Sequence, residues 1–254
     1  MYRLTIGVVV AVVVVYLGWC AALFIFQRSL IYFPQQRGFG SGDTTAKLLV
    51  PGAELQISVR PHAGAKALLY FGGNAEDVSA NLPSLSNAFP DTALYLLHYR
   101  GYGGSFGKPS EEALYSDALA LFDKVYAEHP NVVVVGRSLG SGVAIRLAST
   151  RPVSRLVLVT PYDSLQELAA QQFRYIPVRW LLLDKFESWR YAPRVSAPTV
   201  ILAAEFDEVI PRSSTEQLYS RFAPGVASYK VLAGVGHNSI SESAAYIPSL
   251  KGIP

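Results

Sequence analysis

One short run constrains the fold of this chain more than any other. Four valines at 132–135 lead without a spacer into Gly136-Arg137-Ser138-Leu139-Gly140, and a helix-compatible stretch follows at 141–148. The valine run predicts a strand buried on both faces. The two glycines leave room for a tight turn, so Ser138 is expected between strand and helix with its hydroxyl exposed at the carboxyl edge of a sheet. The pattern therefore indicates a parallel α/β sheet that presents a candidate nucleophile.

A nucleophilic serine needs a base, and the chain contains only four histidines. In the chain order typical of such a site, the serine comes first, then an acid, then the histidine. His62, His98 and His129 precede Ser138, which leaves His237. It follows a short apolar strand, in a loop bracketed by glycine. We therefore expect His237 to be the base.

The acid is expected between these two residues, just past a strand end. The β-rich run 199–204 is followed by three carboxylates, and we choose Asp207, because a short carboxylate there can orient one imidazole nitrogen and stabilise the imidazolium. Glu205 and Glu208 remain alternatives. Asp163, after the preceding strand, is a weaker one.

A tetrahedral intermediate also needs preorganised donors for its negative charge. The predicted strand 66–71 is followed by a glycine-rich loop that contains Asn74. We expect the backbone N–H groups of Asn74 and of Leu139, the residue after the candidate nucleophile, to form the oxyanion hole.

With these residues in order, the chain resembles the α/β-hydrolase fold and, within it, the membrane-anchored Bem46-like serine hydrolases. The matching motifs are Arg28-Ser29-Leu30-Ile31-Tyr32-Phe33-Pro34, Gly73-Asn74-Ala75, Tyr99-Arg100-Gly101-Tyr102-Gly103-Gly104-Ser105, Pro109-Ser110-Glu111, the Gly136–Gly140 run, Asp207 with Ile210-Pro211, and Gly236-His237. The resemblance implies a mostly parallel central sheet flanked by helices, and hydrolysis of a lipid-like or acyl substrate at a membrane. One departure is Gly72, where relatives usually carry histidine before the Gly-Asn pair.

The N-terminal region predicts a membrane span. Residues 6–26 contain no charge, and at about 1.5 Å per residue they cover roughly 30 Å, the hydrocarbon thickness of a bilayer. A cleaved signal peptide usually has an apolar core of only about 7 to 15 residues. We therefore expect residues 1–33 to form a retained single-pass anchor and juxtamembrane segment, with a catalytic domain at 34–254.

The side of the membrane on which that domain lies is not decided by the sequence. Arg3 lies on one side of the apolar run, and Arg28 and Arg37 lie on the other, so the positive-inside count is nearly balanced. The single cysteine, Cys20, lies inside the anchor and does not report on a disulfide-forming compartment.

Strand and helix patterns alternate along the rest of the chain. A hairpin is predicted at 46–50 and 55–59. Further strands are predicted at 66–71, 93–98, 132–135, 155–160, 199–204 and 228–232, with helices near 76–89, 111–128, 141–150 and 213–222. This alternation favours a sheet covered on both faces. Residues 164–197 are interpreted either as a small cap that walls an apolar acyl pocket or leans on the membrane, or as a packed helix covering the sheet.

Composition narrows the function further. A net charge of +3, with the 22 basic residues spread along the chain, gives no support to nucleic-acid binding. No metal-ligand, P-loop or dinucleotide motif is found, so no cofactor and no metal is expected. Arg137 is expected to meet an anionic substrate group or to pair with a nearby acid. The expected function is a serine hydrolase that cleaves an ester, thioester or related acyl bond, and the alternatives are a peptidase of the same fold and a non-catalytic membrane scaffold.

Overall fold

The central element is one sheet, seen in a computed structural model that describes residues 2–40 and 44–252. Within these residues its eight strands are β1 (Thr45–Val50), β2 (Ala53–Arg60), β3 (Lys66–Phe71), β4 (Ala93–Leu97), β5 (Asn131–Arg137), β6 (Arg155–Val159), β7 (Thr199–Phe206) and β8 (Ala227–Gly236). They lie in the order β1-β2-β4-β3-β5-β6-β7-β8. The hairpin β1–β2 and the pair β2–β4 are antiparallel, and all other pairs are parallel. The predicted mostly parallel sheet is confirmed.

The helices of the described residues are α1 (Tyr2–Ile31), α2 (Leu82–Ala88), α3 (Glu111–Tyr126), α4 (Leu139–Ala148), α5 (Leu165–Gln172), α6 (Val178–Leu181), α7 (Arg212–Arg221) and α8 (Tyr246–Lys251). Strand β3 shows how they cover the sheet. Leu69 and Phe71 pack in the core with residues of α3 and α4, whereas Leu68 and Tyr70 pack in a second core with residues of α2 and α8. Successive side chains of a strand point to opposite faces, so the sheet is buried on both sides, as predicted.

Helix α1 is longer than the predicted span 6–26. It has 30 residues, which corresponds to about 45 Å. By length and composition it can cross a membrane, a test that a signal sequence also passes. Residues 2–19 are exposed, but Cys20, Gln27 and Ile31 are buried against the rest of the chain. The last turns of α1 are therefore packed on the domain predicted at 34–254.

The segment 164–197 lies between β6 and β7 and is not one long helix. It contains α5, the single turn α6, and short 3-10 turns at Ser188–Arg190 and Ala192–Arg194. Ser164 begins α5 by accepting the backbone N–H of Glu167. The segment 164–197, made of these short elements, is called the cap below.

Candidate active site

Ser138 occupies the turn between β5 and α4. Its φ of 49° and ψ of −117° lie in a region that side chains other than glycine rarely adopt. Its backbone N–H donates to the carbonyl of Val159 on the neighbouring strand at 2.9 Å. The surrounding sheet therefore holds the serine in a strained conformation, and its side chain lines a cavity.

The glycines on either side allow this turn because its neighbours come very close. A Cβ at Gly136 would lie 2.6 Å from the Cβ of Ala144. A Cβ at Gly140 would overlap the carbonyl oxygen of Phe71, at the end of β3. Both positions therefore require glycine for the close approach that the sequence pattern predicts.

Ser138, His237 and Asp207 form a continuous line of hydrogen bonds. Nε2 of His237 lies 3.0 Å from Oγ of Ser138, and Nδ1 lies 2.9 and 3.0 Å from the two carboxylate oxygens of Asp207. Oδ1 of Asp207 also accepts the backbone N–H groups of Val209 and Ile210, at 3.0 and 2.7 Å. The carboxylate is thus fixed in direction, and it fixes the imidazole in turn.

The other acids considered from the sequence lie elsewhere. Glu205 accepts the backbone N–H of Gly234 at 2.8 Å. Glu208 accepts the backbone N–H of His237 at 3.1 Å and not its ring, and backbone hydrogen bonds lower the pKa of Glu208. Asp163 is buried 3.9 Å from Arg221, and burial raises the pKa of its carboxyl. Of these four acids, Asp207 contacts the imidazole.

Two of the remaining histidines have structural contacts. His98 is buried and shares a hydrogen bond of 2.9 Å with Ser58. His129 contacts the carbonyl of Gly64 and the hydroxyl of Tyr95, at 2.6 and 3.1 Å. Neither imidazole is bonded to Ser138.

The residues predicted for the oxyanion hole border the same cavity. Asn74, Ser138 and Leu139 all line it. The Asn74 carbonyl accepts the hydroxyl of Tyr102 at 2.6 Å, and its side-chain amide donates to the carbonyl of Ile31 at 3.1 Å. The loop is therefore held from both sides, next to the candidate nucleophile.

Glu76 supports this loop, a role that was not expected from the sequence. Its carboxylate accepts the backbone N–H of Gly73 at 2.6 Å and the hydroxyl of Tyr70 at 2.7 Å. It also accepts the amide of Asn81 at 2.6 Å and lies 3.4 Å from Arg137. The sequence feature that could have indicated this role is an acid two residues after Asn74, in a loop that has Gly72 where relatives usually carry histidine.

Arg137 is the cation of this cluster. Burial acts to lower the pKa of its guanidinium, but the nearby carboxylate of Glu76 acts to raise it, and the net effect is a raised pKa. Two partners were expected for Arg137, an anionic substrate group or a nearby acid, and the structure shows a nearby acid, Glu76.

The departure at Gly72 has a steric counterpart. A Cβ at this position would lie 2.5 Å from Cγ1 of Val78 and 3.1 Å from the carboxylate of Glu76. The space that a histidine side chain would need is therefore filled, and Glu76 reaches the loop in its place.

The cavity above Ser138 has a volume of about 460 Å³ and mostly apolar walls. One wall is formed by the end of α1, and another by cap residues that include Leu165, Leu168, Ile176 and Leu181. This volume lies within the range of small-molecule sites, roughly 300 to 1,000 Å³. Within the described residues, no group of three or more histidine, cysteine or acidic side chains is arranged to hold a metal ion.

With this geometry, comparison with known proteins identifies the family. The family model described as "Alpha/beta hydrolase family" matches residues 48–227. The chain belongs to this family. An uncharacterized protein of Mycobacterium tuberculosis is 34% identical over 250 residues, covering 91% of this chain and 87% of that protein.

Another relative within the family carries an activity in its name. The lysophosphatidylserine lipase ABHD12 of Xenopus tropicalis is 34% identical over 180 residues. That match covers 61% of this chain and 47% of the lipase.

Solved structures of the alpha/beta hydrolase fold agree with the architecture. The esterase Pf2001 of Pyrococcus furiosus superposes with a TM-score of 0.66 at 15% identity, covering 88% of this chain and 97% of the esterase. Est1E of Butyrivibrio proteoclasticus with bound ferulic acid gives a TM-score of 0.65 at 10% identity, covering 82% and 96%. At these identities the likeness concerns the fold. Family and relatives together support a hydrolase.

Proposed function

We propose that this alpha/beta hydrolase is a membrane-anchored serine hydrolase that cleaves carboxylic esters or thioesters of lipid-like acyl groups. The observation that carries the proposal is the hydrogen-bonded line from Asp207 through His237 to Ser138, which ends in an apolar cavity. The lipase named among its sequence relatives favours the same chemistry.

The reaction follows from the roles these atoms can take. Nε2 of His237 accepts the proton of Ser138 as Oγ attacks the acyl carbonyl, and Asp207 stabilises the imidazolium that forms. The imidazolium then donates its proton to the leaving alkoxide or thiolate. Water, deprotonated by the same nitrogen, hydrolyses the acyl-enzyme, and Ser138 recovers its proton. Acylation and hydrolysis each pass through a tetrahedral intermediate, and the backbone N–H groups of Asn74 and Leu139 would stabilise the oxyanion of both.

Contacts of α1 with the domain support the membrane anchor. Gln27 and Arg28 bond to residues 181–184, which lie more than 150 positions later in the chain. A leader removed after translocation has no need of such contacts, because it is absent from the mature protein. The exposed, uncharged residues 6–19 are then suited to lipid.

The test uses the full chain in detergent, with a fluorophosphonate probe and a panel of acyl esters, acyl thioesters and peptides. We expect the wild type to be labelled and to turn over esters or thioesters. Ser138→Ala is expected to lose labelling and at least about 10³-fold in kcat. The matched control is Ser149→Ala, just after the end of α4, whose hydroxyl donates to the carbonyl of Arg146 and does not line the cavity. Labelling that persists in Ser138→Ala would refute the assignment of the nucleophile, and turnover of peptides alone would favour a peptidase.

A further inference from the structure

The end of α1 is a wall of the cavity that contains Ser138. Five residues of this helix line the cavity: Leu23, Phe24, Gln27, Leu30 and Ile31. Leu23 and Phe24 also belong to the uncharged stretch 6–26. The same turn of helix therefore belongs both to the apolar run and to the boundary of the candidate active site.

The cap extends along α1 toward the middle of this apolar run. The hydroxyl of Tyr16 donates to the backbone carbonyl of Tyr175 at 2.8 Å. Tyr16 lies ten residues before the end of the uncharged stretch, about 15 Å along the helix axis. Nearby on the cap, Tyr175 is 81% exposed and Trp180 is 88% exposed. Aromatic side chains of this kind are favoured at the membrane interface, so the outer surface of the cap is suited to contact lipid.

A set of polar contacts, the α1–cap clamp, holds the two elements together. It consists of Gln27, Arg28, Tyr32 and Asp184. Gln27 donates to the carbonyl of Leu181 and accepts the N–H of Leu183, at 3.3 and 2.7 Å. The buried Asp184 accepts hydrogen bonds from Arg28 and Tyr32, at 3.0 and 3.1 Å. These bonds lie at the C-terminal end of α1, after the uncharged stretch 6–26, and fix the position of its apolar side chains relative to the cap.

The end of α1 is also bonded to the loop that carries Asn74. The Asn74 side chain donates to the carbonyl of Ile31, and the backbone N–H of Phe33 donates to the carbonyl of Asn74 at 3.0 Å. The position of α1 therefore bears on two features at once, the shape of the acyl cavity and the placement of a proposed oxyanion donor.

We propose that α1 is a substrate-binding element. The acyl chain of an ester dissolved in the bilayer enters sideways, between Leu23 and Phe24 of α1 and the cap, and the ester carbonyl reaches Ser138 while the chain stays against the helix. This inference rests on the proposed function and adds the route and the source of the substrate. Its ligand is an amphiphile presented by the same membrane that holds the protein.

The experiment compares two substitutions on one helix. Full-length protein is reconstituted in phosphatidylcholine vesicles, and turnover is measured with p-nitrophenyl palmitate and p-nitrophenyl butyrate. Leu23→Trp places a larger side chain in the cavity and narrows it. This variant is expected to lower the ratio of kcat/KM for the long-chain ester to kcat/KM for the short-chain ester by about tenfold or more, because the long acyl chain no longer fits. Ile25→Trp is the control, because Ile25 is 69% exposed on the same helix and does not line the cavity. This control should leave the ratio unchanged.

A second variant and a second arrangement sharpen the test. Leu23→Ala removes apolar contact with the chain and should lower the same ratio several-fold, and it serves if melting curves show that Leu23→Trp does not fold. Initial hydrolysis of the long ester should be faster when ester and protein share one vesicle than when the ester is in protein-free vesicles.

The outcomes separate the two proposals. Equal ratios for the Leu23 and Ile25 variants, or equal rates for shared and separate vesicles, overturn the role of α1 while the hydrolase proposal stands. A wild-type protein that turns over neither ester nor the acyl thioesters, and that the fluorophosphonate does not label, overturns both.

Discussion

The carboxylate of Glu76 accepts the backbone N–H of Gly73 at 2.6 Å and so restrains the residue directly before Asn74. Glu76→Gln keeps an acceptor oxygen but removes the charge that faces Arg137. We expect kcat for a short ester to fall roughly 10- to 100-fold with little change in KM, because a misplaced donor affects the transition state more than substrate binding.

The matched control for this prediction is Glu112→Gln. Glu112 also pairs with an arginine, Arg146, but its side chain is 76% exposed and lies outside the cavity. This variant should keep wild-type kcat. A Glu76→Gln protein with wild-type kcat, or with a raised KM alone, would contradict the positioning role of Glu76.

Gly72→Ala is expected to destabilise the protein by about 1 to 3 kcal/mol through overpacking against Val78. Thermal or urea unfolding in detergent measures this loss. Val78→Ala makes space, so the double variant should lose less stability than the sum of the two single changes. Strict additivity would show that the two side chains do not compete for the same space.

Asp207→Asn is expected to lower kcat by about 10⁴-fold, because an amide in place of the carboxylate favours the wrong tautomer of the imidazole. Glu205→Gln is the control, since Glu205 bonds to the backbone of Gly234 and not to His237. Ester turnover under saturating substrate checks both variants. A comparable loss in Glu205→Gln would mean that the acid has been assigned wrongly.

His98 predicts a pH dependence of stability. Burial lowers the pKa of its imidazole from 6.5 to about 4. Between pH 4 and pH 6.5 the His98 imidazole is therefore mostly protonated in the unfolded chain and mostly neutral in the folded protein. Neutral His98 contributes to the free energy of unfolding in full above pH 6.5, and this contribution is lost as the pH falls toward 4. The loss between pH 7 and pH 5 is about 2 kcal/mol.

Urea unfolding at pH 7 and pH 5 measures this difference. The His98→Gln variant has no group at this position that titrates in this range. From pH 7 to pH 5 its free energy of unfolding should therefore fall by about 2 kcal/mol less than that of the wild type. The same change with pH in both proteins would exclude His98 as the source.

Much of the fold was predictable from local patterns. The valine run of β5 and the alternating residues of β2 predict strands directly. A strand buried on both faces is a continuous apolar run, and a strand buried on one face alternates apolar and polar residues. Element boundaries were less exact. The helix predicted near 76–89 instead begins as a 3-10 turn at Val78–Asn81, because the carboxylate of Asp77 caps the backbone N–H of Ser79.

The candidate site was predictable where one residue type is needed at one strand end. Ser138, Asp207 and His237 each follow a strand of the same sheet, so topology alone brings them to one edge. Glu76 was missed because its role depends on the course of a loop in space. The docked face of α1 was missed because a helix that is apolar all round gives no periodic signal of the side that packs. Gln27, a polar residue just after the uncharged stretch, was the one local indication.

The two sides of α1 tolerate sequence change differently. On the outward side, residues such as Val14 and Ile25 can be exchanged for other apolar residues, because their side chains are 62% and 69% exposed and have little fixed packing to lose. On the inward side, Gln27 and Arg28 meet fixed partners and have no equivalent replacement. A chimaera that carries an unrelated helix of equal hydropathy would therefore keep the apolar surface of α1 and lose its match to the rest of the chain.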